Sequence, residues 1–468
     1  MSPVDIFLVV VAAIFLIGIV GELLFDRTGI PDVIWLILVG ILIGPVTGAV
    51  DRSELAKVAP FFGALTLVVV LFDGGAKLQL RDVSTAVSRS LLLATVSFLA
   101  SVLILAPAVM VLVWVGALPE TWTWLHAVTV AAILGGSSSV VVMPALRRAG
   151  LSSRIANVIS LESALTDVLC VVATGACVKI ATTGSANLGV VGEALGKSFG
   201  IGLIVGLVAG VLSLLVLRPL RKSQYAYPIV LGALLLVYVL IDVLGGSAAL
   251  GIIAMSILLG NAPQLSKSIG LSKAARLGRG VENAHDQITF IVKSFFFTFI
   301  GAMLGPPWGL LIVGVLLGLL ILGARIPAVA VGLMGSDIPR EARPLVVVAL
   351  PRGMAAGVLA MFPAGAGMVG TEELPVVVFS AVFTTIVIFA VGFPLFRRRV
   401  VGLAGDTPPE AIADPELPRG LAGQAADASV TYGFDPPGAG TRSDSNSSGN
   451  FAGTDPESTD FSGDSEET

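Results

Sequence analysis

The segment SLESALTDVLCVV, which runs from Ser160 to Val172, places two carboxylates inside a long and mainly apolar stretch. Glu162 and Asp167 lie five residues apart, and apolar residues continue on both sides of the segment. Charged side chains are costly in a membrane helix because they lose their hydration, so they usually face a bundle interior or a water-filled cavity and mark the path of an ion. The segment therefore predicts a membrane helix that carries a buried polar site.

The composition of the whole chain is typical of a polytopic membrane protein. Of its 468 residues, 55% are hydrophobic and 13% are charged, and the mean hydropathy is +0.95. A soluble protein of this size cannot bury so many apolar side chains, which excludes a soluble enzyme. The predicted fold class is an all-α polytopic membrane protein, and we expect its surroundings to be membrane lipid and not nucleic acid.

The chain has two histidines and two cysteines. His126 and His285 lie near predicted helix ends; either could respond to pH near neutrality, but we interpret both as interfacial residues without a special role. Cys170 and Cys177 lie seven residues apart in one predicted helix, about 10 Å along its axis, which is too far for a disulfide bond. We interpret both cysteines as packing residues.

Apolar segments along the chain predict about 13 transmembrane helices. The first segment has no basic leader and no small-residue cleavage pattern, so we interpret it as a retained helix and not as a removable signal. The segments cover residues 4–25, 31–50, 58–76, 90–115, 124–146, 154–180, 190–217, 226–243, 247–261, 285–305, 308–334, 343–363 and 374–396.

The basic residues alternate from loop to loop as the positive-inside rule requires. With the N-terminus outside, nineteen Lys and Arg residues fall on the inner side and four on the outer side. This bias predicts a multi-pass protein of the plasma (inner) membrane with a cytoplasmic C-terminus. The outer residues are Arg52, Lys57, Lys179 and Lys197; the inner ones are Arg27, Lys77, Arg81, Arg89, Arg147, Arg148, Arg154, Arg218, Arg221, Lys222, Lys267, Lys273, Arg276, Arg279, Arg340, Arg343, Arg397, Arg398 and Arg399.

The last part of the chain differs from the rest in composition. From Asp406 onward it has thirteen acidic and two basic residues, rich in Ser, Gly and Asp and poor in large apolar side chains. Such a segment cannot bury enough apolar surface to fold. We therefore predict a transmembrane domain over residues 1–403 and a disordered, acidic cytoplasmic tail over residues 404–468.

Three cations and three anions within the apolar segments are predicted to lie at membrane depth. The cations are Lys293, Arg325 and Arg352, and the anions are Asp73, Glu162 and Asp167. Buried charges of this kind either serve an ion path or form structural salt bridges. We expect one or two of these residues to form structural salt bridges and the others to serve an ion path.

Two of the apolar segments are interrupted by residues that unwind helices. Gly135–Ser139, with the sequence GGSSS, interrupts residues 124–146, and Leu350–Met354, with the sequence LPRGM, interrupts residues 343–363. The freed backbone groups of a broken membrane helix are tolerated where they line a cavity. One break in each half of the chain predicts inverted repeats with two discontinuous helices that cross at a binding site, while simple kinks are the alternative.

The spacing of residues around Asp167 suggests cation chemistry. Ser163 and Asp167 are four residues apart and share a helix face, where a hydroxyl and a carboxylate supply hard oxygen ligands for a monovalent metal cation. Glu162 and Thr166 form the neighbouring stripe, and the two carboxylates point roughly 140° apart around the axis. We expect Asp167 to face the cavity and exchange a proton for a cation, and Glu162 to face a basic partner. The alternative is that Asp167 merely neutralises a nearby cation.

Five motifs in order resemble the NhaP type of monovalent cation:proton antiporter over roughly residues 5–400. The motifs are DRTGIPDVIWLILVGILIGP, LVVVLFDGGAKLQL, GGSSSVVVMPAL, LESALTD and LPRGMAAGVLA. The resemblance implies the NhaA-like antiporter fold and a homodimer. It further implies a dimerisation domain of the helices at about 4–76 and 190–305, and a mobile core of those at about 90–180 and 308–396.

The resemblance also implies roles for individual residues. Asp167 would be the ion- and proton-binding carboxylate, with Ser163 and Ser137 as further ligands and Asp73 as a possible one. Glu162 would pair with Arg325. Two positions depart from the family pattern, because Thr166 replaces an Asn and Ser138 replaces an Asp that is common in the first break. Thr166 keeps a hydroxyl that can bond to a broken helix, while the loss of the Asp lowers the acidic ligand count.

The function expected from these residues is exchange of Na⁺ or K⁺ for H⁺ by alternating access, without a cofactor and without enzymatic chemistry. With Thr166 beside it and no second carboxylate, Asp167 carries either one H⁺ or one cation, so we expect electroneutral exchange provided that Asp73 does not titrate. Two alternatives remain. A sodium-coupled symporter of a small organic anion would favour a second polar pocket, and a cation channel or sensor would need no titrating residue in the path.

Overall fold

The chain folds as a bundle of α-helices in the computed structural model. The structure describes residues 3–403 except 29, 51, 78–86, 149–152, 185–187, 221–224, 263–278 and 337, so the tail predicted over 404–468 lies outside the described residues. The described part contains no β-strand. Its helices are α1 (Pro3–Thr28), α2 (Asp32–Ile41, continued by a π-helical turn Leu42–Val46), α3 (Arg52–Lys77), α4 (Val87–Trp114), α5 (Trp124–Ile133), α6 (Ser139–Arg148), α7 (Ser153–Thr183), α8 (Leu188–Leu220), α9 (Ala226–Val243), α10 (Ala248–Gly260), α11 (Arg279–Met303), α12 (Trp308–Gly332), α13 (Arg343–Val348), α14 (Met354–Gly365) and α15 (Leu374–Leu403).

Helices occupy every segment that hydropathy marks as apolar. Within the described residues, nine helices are long and apolar enough to cross a membrane, and shorter apolar helices occupy 32–46, 124–133, 248–260 and 354–365. The chain is therefore an all-helical, multi-pass membrane protein, as predicted. The number of crossings, about 13, stays a prediction.

Glycine allows the close approach of α2 and α11. A Cβ atom at Gly40 would overlap the carbonyl oxygen of Thr298, and one at Gly301 would overlap that of Ile37. Small residues let membrane helices pack backbone to backbone, since no hydrophobic force drives helices together in lipid. The contact fixes α11, and hence the side chains that it directs into the bundle.

The helix packing has two clusters joined at a few contacts. In one cluster α2 packs on α11, and α10 packs on both α3 and α8. In the other, α12 packs on α4 and α15, while α7 packs on α4 and α5. Helix α14 lies against α3 and so connects the two clusters. Their assignment to a dimerisation domain and a mobile core stays a prediction.

Both predicted helix breaks are present, and they meet. The chain is unwound between Ile133 and Ser139 and again between Val348 and Met354. The backbone N–H of Ser138 donates to the carbonyl oxygen of Pro351 over 2.8 Å. A Cβ atom at Gly353 would overlap the Ser138 hydroxyl, so glycine is required for this close approach. The expected crossing of two discontinuous helices is confirmed, and simple kinks are excluded.

Candidate ion-binding site

The first helix break is fixed to α7 by a set of buried hydroxyl contacts. The hydroxyl oxygens of Ser137 and Ser163 lie 2.9 Å apart. The backbone N–H of Ser137 donates to the hydroxyl of Thr166 over 3.2 Å, and that hydroxyl donates to the carbonyl oxygen of Ser163 over 3.0 Å. All three residues are buried. Three of the predicted site residues are thus brought together, with Ser163 one helical turn before Asp167 and Thr166 directly before it.

Asp167 borders a cavity between α3, α7 and α10. Among the described residues that line the cavity, Asp167 is the only charged one, and the others are apolar or glycine. In the described part of the chain its carboxylate makes no ion pair, in contrast to Glu162. The described lining of the cavity therefore presents a single carboxylate, four residues along α7 from Ser163. Its lining residues are Val70, Leu71, Gly74, Gly75, Ala164, Asp167, Val168 and Ile253.

Glu162 forms a buried, two-pronged ion pair with Arg325 of α12. Nη1 of Arg325 donates to Oε1 over 2.6 Å, and Nη2 donates to Oε2 over 2.7 Å. The guanidinium group also donates to the Ser97 hydroxyl over 3.0 Å and to the carbonyl oxygen of Ala349 over 3.4 Å. Parallel bonds of this kind are strong and directional. They connect α7, α12, α4 and the start of the second break, so the charge of Glu162 is already compensated.

Arg352 lies in the second break and is also buried. Its backbone N–H donates to the Thr385 hydroxyl over 3.0 Å, and its Nη2 atom donates to the Ser101 hydroxyl over 3.4 Å. Its charge is close enough to interact with those of Asp167 and Glu162. The guanidinium group thus places positive charge at the helix crossing.

Asp73 lies apart from the cavity. Its Oδ1 atom is 3.3 Å from Nε2 of His285, with both side chains almost fully buried. Nδ1 of the same ring lies 3.2 Å from the hydroxyl of Tyr227. His285 does not lie at a helix end as predicted, because α11 begins at Arg279 and the ring is buried in the bundle. The interpretation that it has no special role stays a prediction. The role of Asp73 as a possible ion ligand stays a prediction.

Lys293 belongs to a separate ion pair. Its Nζ atom donates to Oδ2 of Asp32 over 2.6 Å, and it lies 5.4 Å from the ring centroid of Phe290. The pair joins α11 to the start of α2, away from Glu162. Sequence reasoning missed Asp32 because it stands at the polar edge of an apolar segment, directly after Pro31, and therefore resembles a helix-start residue.

His126 and the cysteines have local structural roles. The side chain of His126 accepts from the backbone N–H of Thr123 at the start of α5, and its Nε2 atom lies 3.0 Å from the carbonyl oxygen of Val369. Both cysteines are free and buried. A Cβ atom at Gly136 would lie 2.8 Å from the Cys170 sulfur, so the thiol packs directly against the first break.

Comparisons with known proteins agree with this architecture. The K⁺/H⁺ antiporter NhaP of Alkalimonas amylolytica is 26% identical over 79% of this chain and 62% of its own length. The Na⁺/H⁺ antiporter 1 of Methanocaldococcus jannaschii is 24% identical over 72% of this chain and 78% of its own length. The chain spans about three fifths of the length of the NhaP-named relatives that it matches.

A solved antiporter structure and a protein-family model also match this chain. The structure of the sodium proton antiporter MjNhaP1 from Methanocaldococcus jannaschii matches with a TM-score of 0.68 and 20% identity over 85% of this chain and all of the other. This likeness shows the antiporter fold. The model described as "Sodium/hydrogen exchanger, transmembrane" matches residues 10–398. The resemblance seen in the motifs is thereby confirmed, and the chain belongs to the sodium/hydrogen exchanger family.

Proposed function

We propose that this chain is a secondary transporter that exchanges Na⁺ or K⁺ for H⁺ across the plasma (inner) membrane. The observation that carries the proposal is the single carboxylate of Asp167, which lines a cavity and lies on α7, the helix to which the first of the two crossing, broken helices is bonded. A lone carboxylate at membrane depth has two ways to remove its charge, which are to bind a proton or to bind a cation. Competition between the proton and the cation for one site couples their movements across the membrane.

The hydroxyl groups around Asp167 suit a monovalent cation. Ser163 and Ser137 present oxygen atoms next to each other, and Thr166 holds the unwound backbone of the first break in place. Hard oxygen ligands favour alkali cations over softer metals. In this proposal Asp167 is the titrating ligand, Ser163 and Ser137 are neutral ligands, and Thr166 positions them.

The helix ends at the crossing balance the charge of the site. α6 and α14 begin at the crossing, while α5 and α13 end there. Helix N-termini carry partial positive charge and C-termini partial negative charge, so the crossing supplies both signs. With Arg352 nearby, this arrangement supports a carboxylate that alternates between its ionised, cation-bound form and its protonated form.

Coupling by one carboxylate gives a 1:1, electroneutral exchange. The relatives named as K⁺/H⁺ and Na⁺/H⁺ antiporters support both cations as substrates. A symporter of an organic anion is not favoured, because the described lining of the cavity contains no polar side chain other than Asp167. We further propose a homodimer that works by alternating access, with the N-terminus outside and the C-terminus cytoplasmic.

Transport by the purified full chain in proteoliposomes tests the proposal. A pH-sensitive dye inside the vesicles would report H⁺ movement after external addition of Na⁺, K⁺ or choline. Alkalinisation or acidification driven by Na⁺ or K⁺ but not by choline is the expected result, and protein-free vesicles are the control. Proton movement that requires an organic anion, or no cation-driven movement at all, would contradict the proposal.

A further inference from the structure

Two aromatic side chains at the start of α5 bind the loop that follows α14. Nε1 of Trp122 donates to the carbonyl oxygen of Gly370 over 2.7 Å, and Nε2 of His126 lies 3.0 Å from the carbonyl oxygen of Val369. The two rings stack, with centroids 5.8 Å apart and planes 17° from parallel. These contacts join parts of the chain that lie 248 and 243 residues apart in the sequence.

The direction of the His126 bond follows from its contact with Thr123. A backbone N–H can only donate, and that of Thr123 lies 3.1 Å from Nδ1. A neutral imidazole has one donor and one acceptor nitrogen, so Nδ1 is the acceptor here and the ring proton is on Nε2. Nε2 therefore donates to Val369, as Nε1 of Trp122 donates to Gly370. Two adjacent carbonyl groups are thus held by two stacked donors.

The loop that carries these carbonyl groups is bonded to the end of α14. Gly367 and Gly370 have φ angles of +84° and +80°, which residues other than glycine rarely adopt. The Thr371 hydroxyl donates to the carbonyl oxygen of Met368 over 2.6 Å, and the backbone N–H of Met368 donates to that of Pro363 over 2.9 Å. Because Pro363 lies in the last turn of α14, the position of the loop depends on that of the helix.

The contacts complete a frame around two half-helices. Helix α5 leads from this end of the bundle to the first break, and α14 leads from the second break back to this end. At the crossing the backbone N–H of Ser138 donates to the carbonyl oxygen of Pro351. With ten and twelve residues, the two half-helices are about 15 and 18 Å long. They are therefore linked near both ends, and neither can tilt without straining one of the links.

We propose that Trp122 and His126 are positioning residues that hold the two broken helices in the relative orientation that the cation site requires. The inference rests on the proposed function, because it concerns the geometry of the same site. Neither residue belongs to the described lining of the Asp167 cavity, so both act through the helices.

Loosening the frame weakens cation binding because it lowers the population of the competent arrangement. The ends of α5 and α14 at the crossing carry the partial charges that balance the site in the proposed function. When only a fraction of the molecules has these ends correctly placed, the apparent affinity for the ligand falls by that fraction. The KM for the cation is therefore the quantity that the frame controls.

His126→Glu separates the link between the two segments from the helix cap. A glutamate can still accept from the backbone N–H of Thr123, as in a capping box, but an ionised carboxylate cannot donate to Val369. Its charge suits the N-terminus of α5, so the variant is expected to fold. Since the net strength of one neutral hydrogen bond corresponds to a roughly two- to tenfold change in an equilibrium, the KM for Na⁺ and K⁺ in proteoliposomes is expected to rise by that factor, with the maximal rate within about twofold of the wild type.

His126→Gln is the matched control for His126→Glu. Its amide has an acceptor and a donor side by side, like the imidazole, and can bond both Thr123 and Val369. It is expected to keep the wild-type KM, whereas a ring that serves only to fill space predicts that both substitutions are equally harmful. Equal increases of the KM in the two variants would overturn the proposal.

Trp122→Phe tests the second donor. It keeps an aromatic ring beside His126 and loses the N–H that bonds Gly370. It is expected to raise the KM, and the double variant with His126→Glu is expected to raise it further than either single change. Trp124→Phe, at an exposed position in the first turn of α5, is the control and should leave the KM unchanged. A wild-type KM in the double variant would overturn the proposal.

Cation-dependent thermal stabilisation of the purified full chain separates this inference from the proposed function, because it does not require exchange. The double variant is expected to need more Na⁺ or K⁺ for half-maximal stabilisation than the wild type, with choline as the control. A lower melting temperature with an unchanged cation requirement would show that the links serve stability alone, and would overturn the inference. Wild-type protein that binds cations but exchanges neither for H⁺ would contradict the proposed function, while the stabilisation series would still decide the role of Trp122 and His126.

Discussion

Glu162 and Asp167 stand five residues apart on the same helix, yet their surroundings are opposite. Glu162 is fully buried and bonded at both oxygens to Arg325. Asp167 borders a cavity whose described lining offers it no cation. Because the two positions point roughly 140° apart around the helix axis, Glu162 meets α12 while Asp167 faces a cavity lined by α3 and α10. The comparison teaches that two carboxylates on one helix can meet opposite surroundings: one is compensated by an ion pair, and the other faces the cavity in which we propose that the cation binds.

The largest effect is expected at the cavity. Asp167→Asn removes the group that binds a proton or a cation and leaves side-chain volume nearly unchanged, so exchange should be lost while the melting temperature stays close to that of the wild type. Dye-monitored exchange in proteoliposomes and thermal unfolding in detergent measure the two quantities. Asp242→Asn, at an exposed position near the end of α9, is the matched control. Wild-type exchange by Asp167→Asn would remove Asp167 from the site.

At Glu162 we expect substitution to lower the stability of the protein as well as its exchange activity. Removing one partner of a buried ion pair leaves the other charge uncompensated and costs about 3–5 kcal/mol in typical cases. Glu162→Ala and Arg325→Ala should each lower thermal stability strongly, and exchange should fall with it because the same pair supports Ala349 at the second break. Thermal unfolding in detergent is the measurement. Single variants as stable as the wild type would show that the pair is not structural.

A smaller effect is expected from the hydroxyl ligands. Ser163→Ala removes the oxygen that lies 2.9 Å from the Ser137 hydroxyl, but the carboxylate remains. Loss of one neutral hydrogen-bonding or ligand group costs about 0.5–1.5 kcal/mol, so the KM for the cation should increase by roughly two- to tenfold while the maximal rate changes less. The control is Ser336→Ala, whose hydroxyl donates to the helix-end carbonyl oxygen of Leu333, away from the described cavity. A KM equal to that of the wild type would exclude the Ser163 hydroxyl as a ligand.

The Asp32–Lys293 pair should matter less than the Glu162–Arg325 pair. Its side chains are 15% and 13% exposed, so part of their hydration remains. Lys293→Met should reduce stability by about 1–2 kcal/mol, between the values for surface and for buried pairs. Lys57→Met breaks an exposed pair with Glu54 and should have no measurable effect on the melting temperature. Equal losses of stability in Lys293→Met and Lys57→Met would show that burial does not determine how much each ion pair contributes.

Much of the fold could be predicted from the sequence because lipid imposes simple rules. Apolar length marks the helices, and glycine and proline mark the breaks, since unwound backbone is rare in a bilayer. The motifs also indicated Arg325 as the partner of Glu162. Which helices lie side by side could not be deduced from one sequence, and so the partners of Lys293 and Asp73 were not predicted.

The position of His285 shows why hydropathy alone was insufficient. The residues before it include Glu282 and Asn283, which are exposed and polar, so the apolar segment was predicted to begin at residue 285. In the structure the helix begins at Arg279, and its first turns are amphipathic. Val281 and His285 are buried, four residues apart on one face. A search for helical period in addition to apolar length would have found this buried stripe.

The smallest effect on transport is expected from removal of the tail. The family model matches up to residue 398, before the acidic region begins at Asp406. A segment with net charge −11 and few large apolar residues has no means to form a core or to hold helices together.

The many basic residues predicted on the cytoplasmic side would attract this segment only weakly and in a salt-dependent manner. Truncation after Gly405 should therefore leave the maximal exchange rate in proteoliposomes near that of the wild type, and any change should be a shift in the response to pH or salt that disappears at high ionic strength. Loss of exchange in a correctly inserted, truncated protein would show that the acidic segment takes part in the transport cycle itself, and the site around Asp167 would then be incomplete without it.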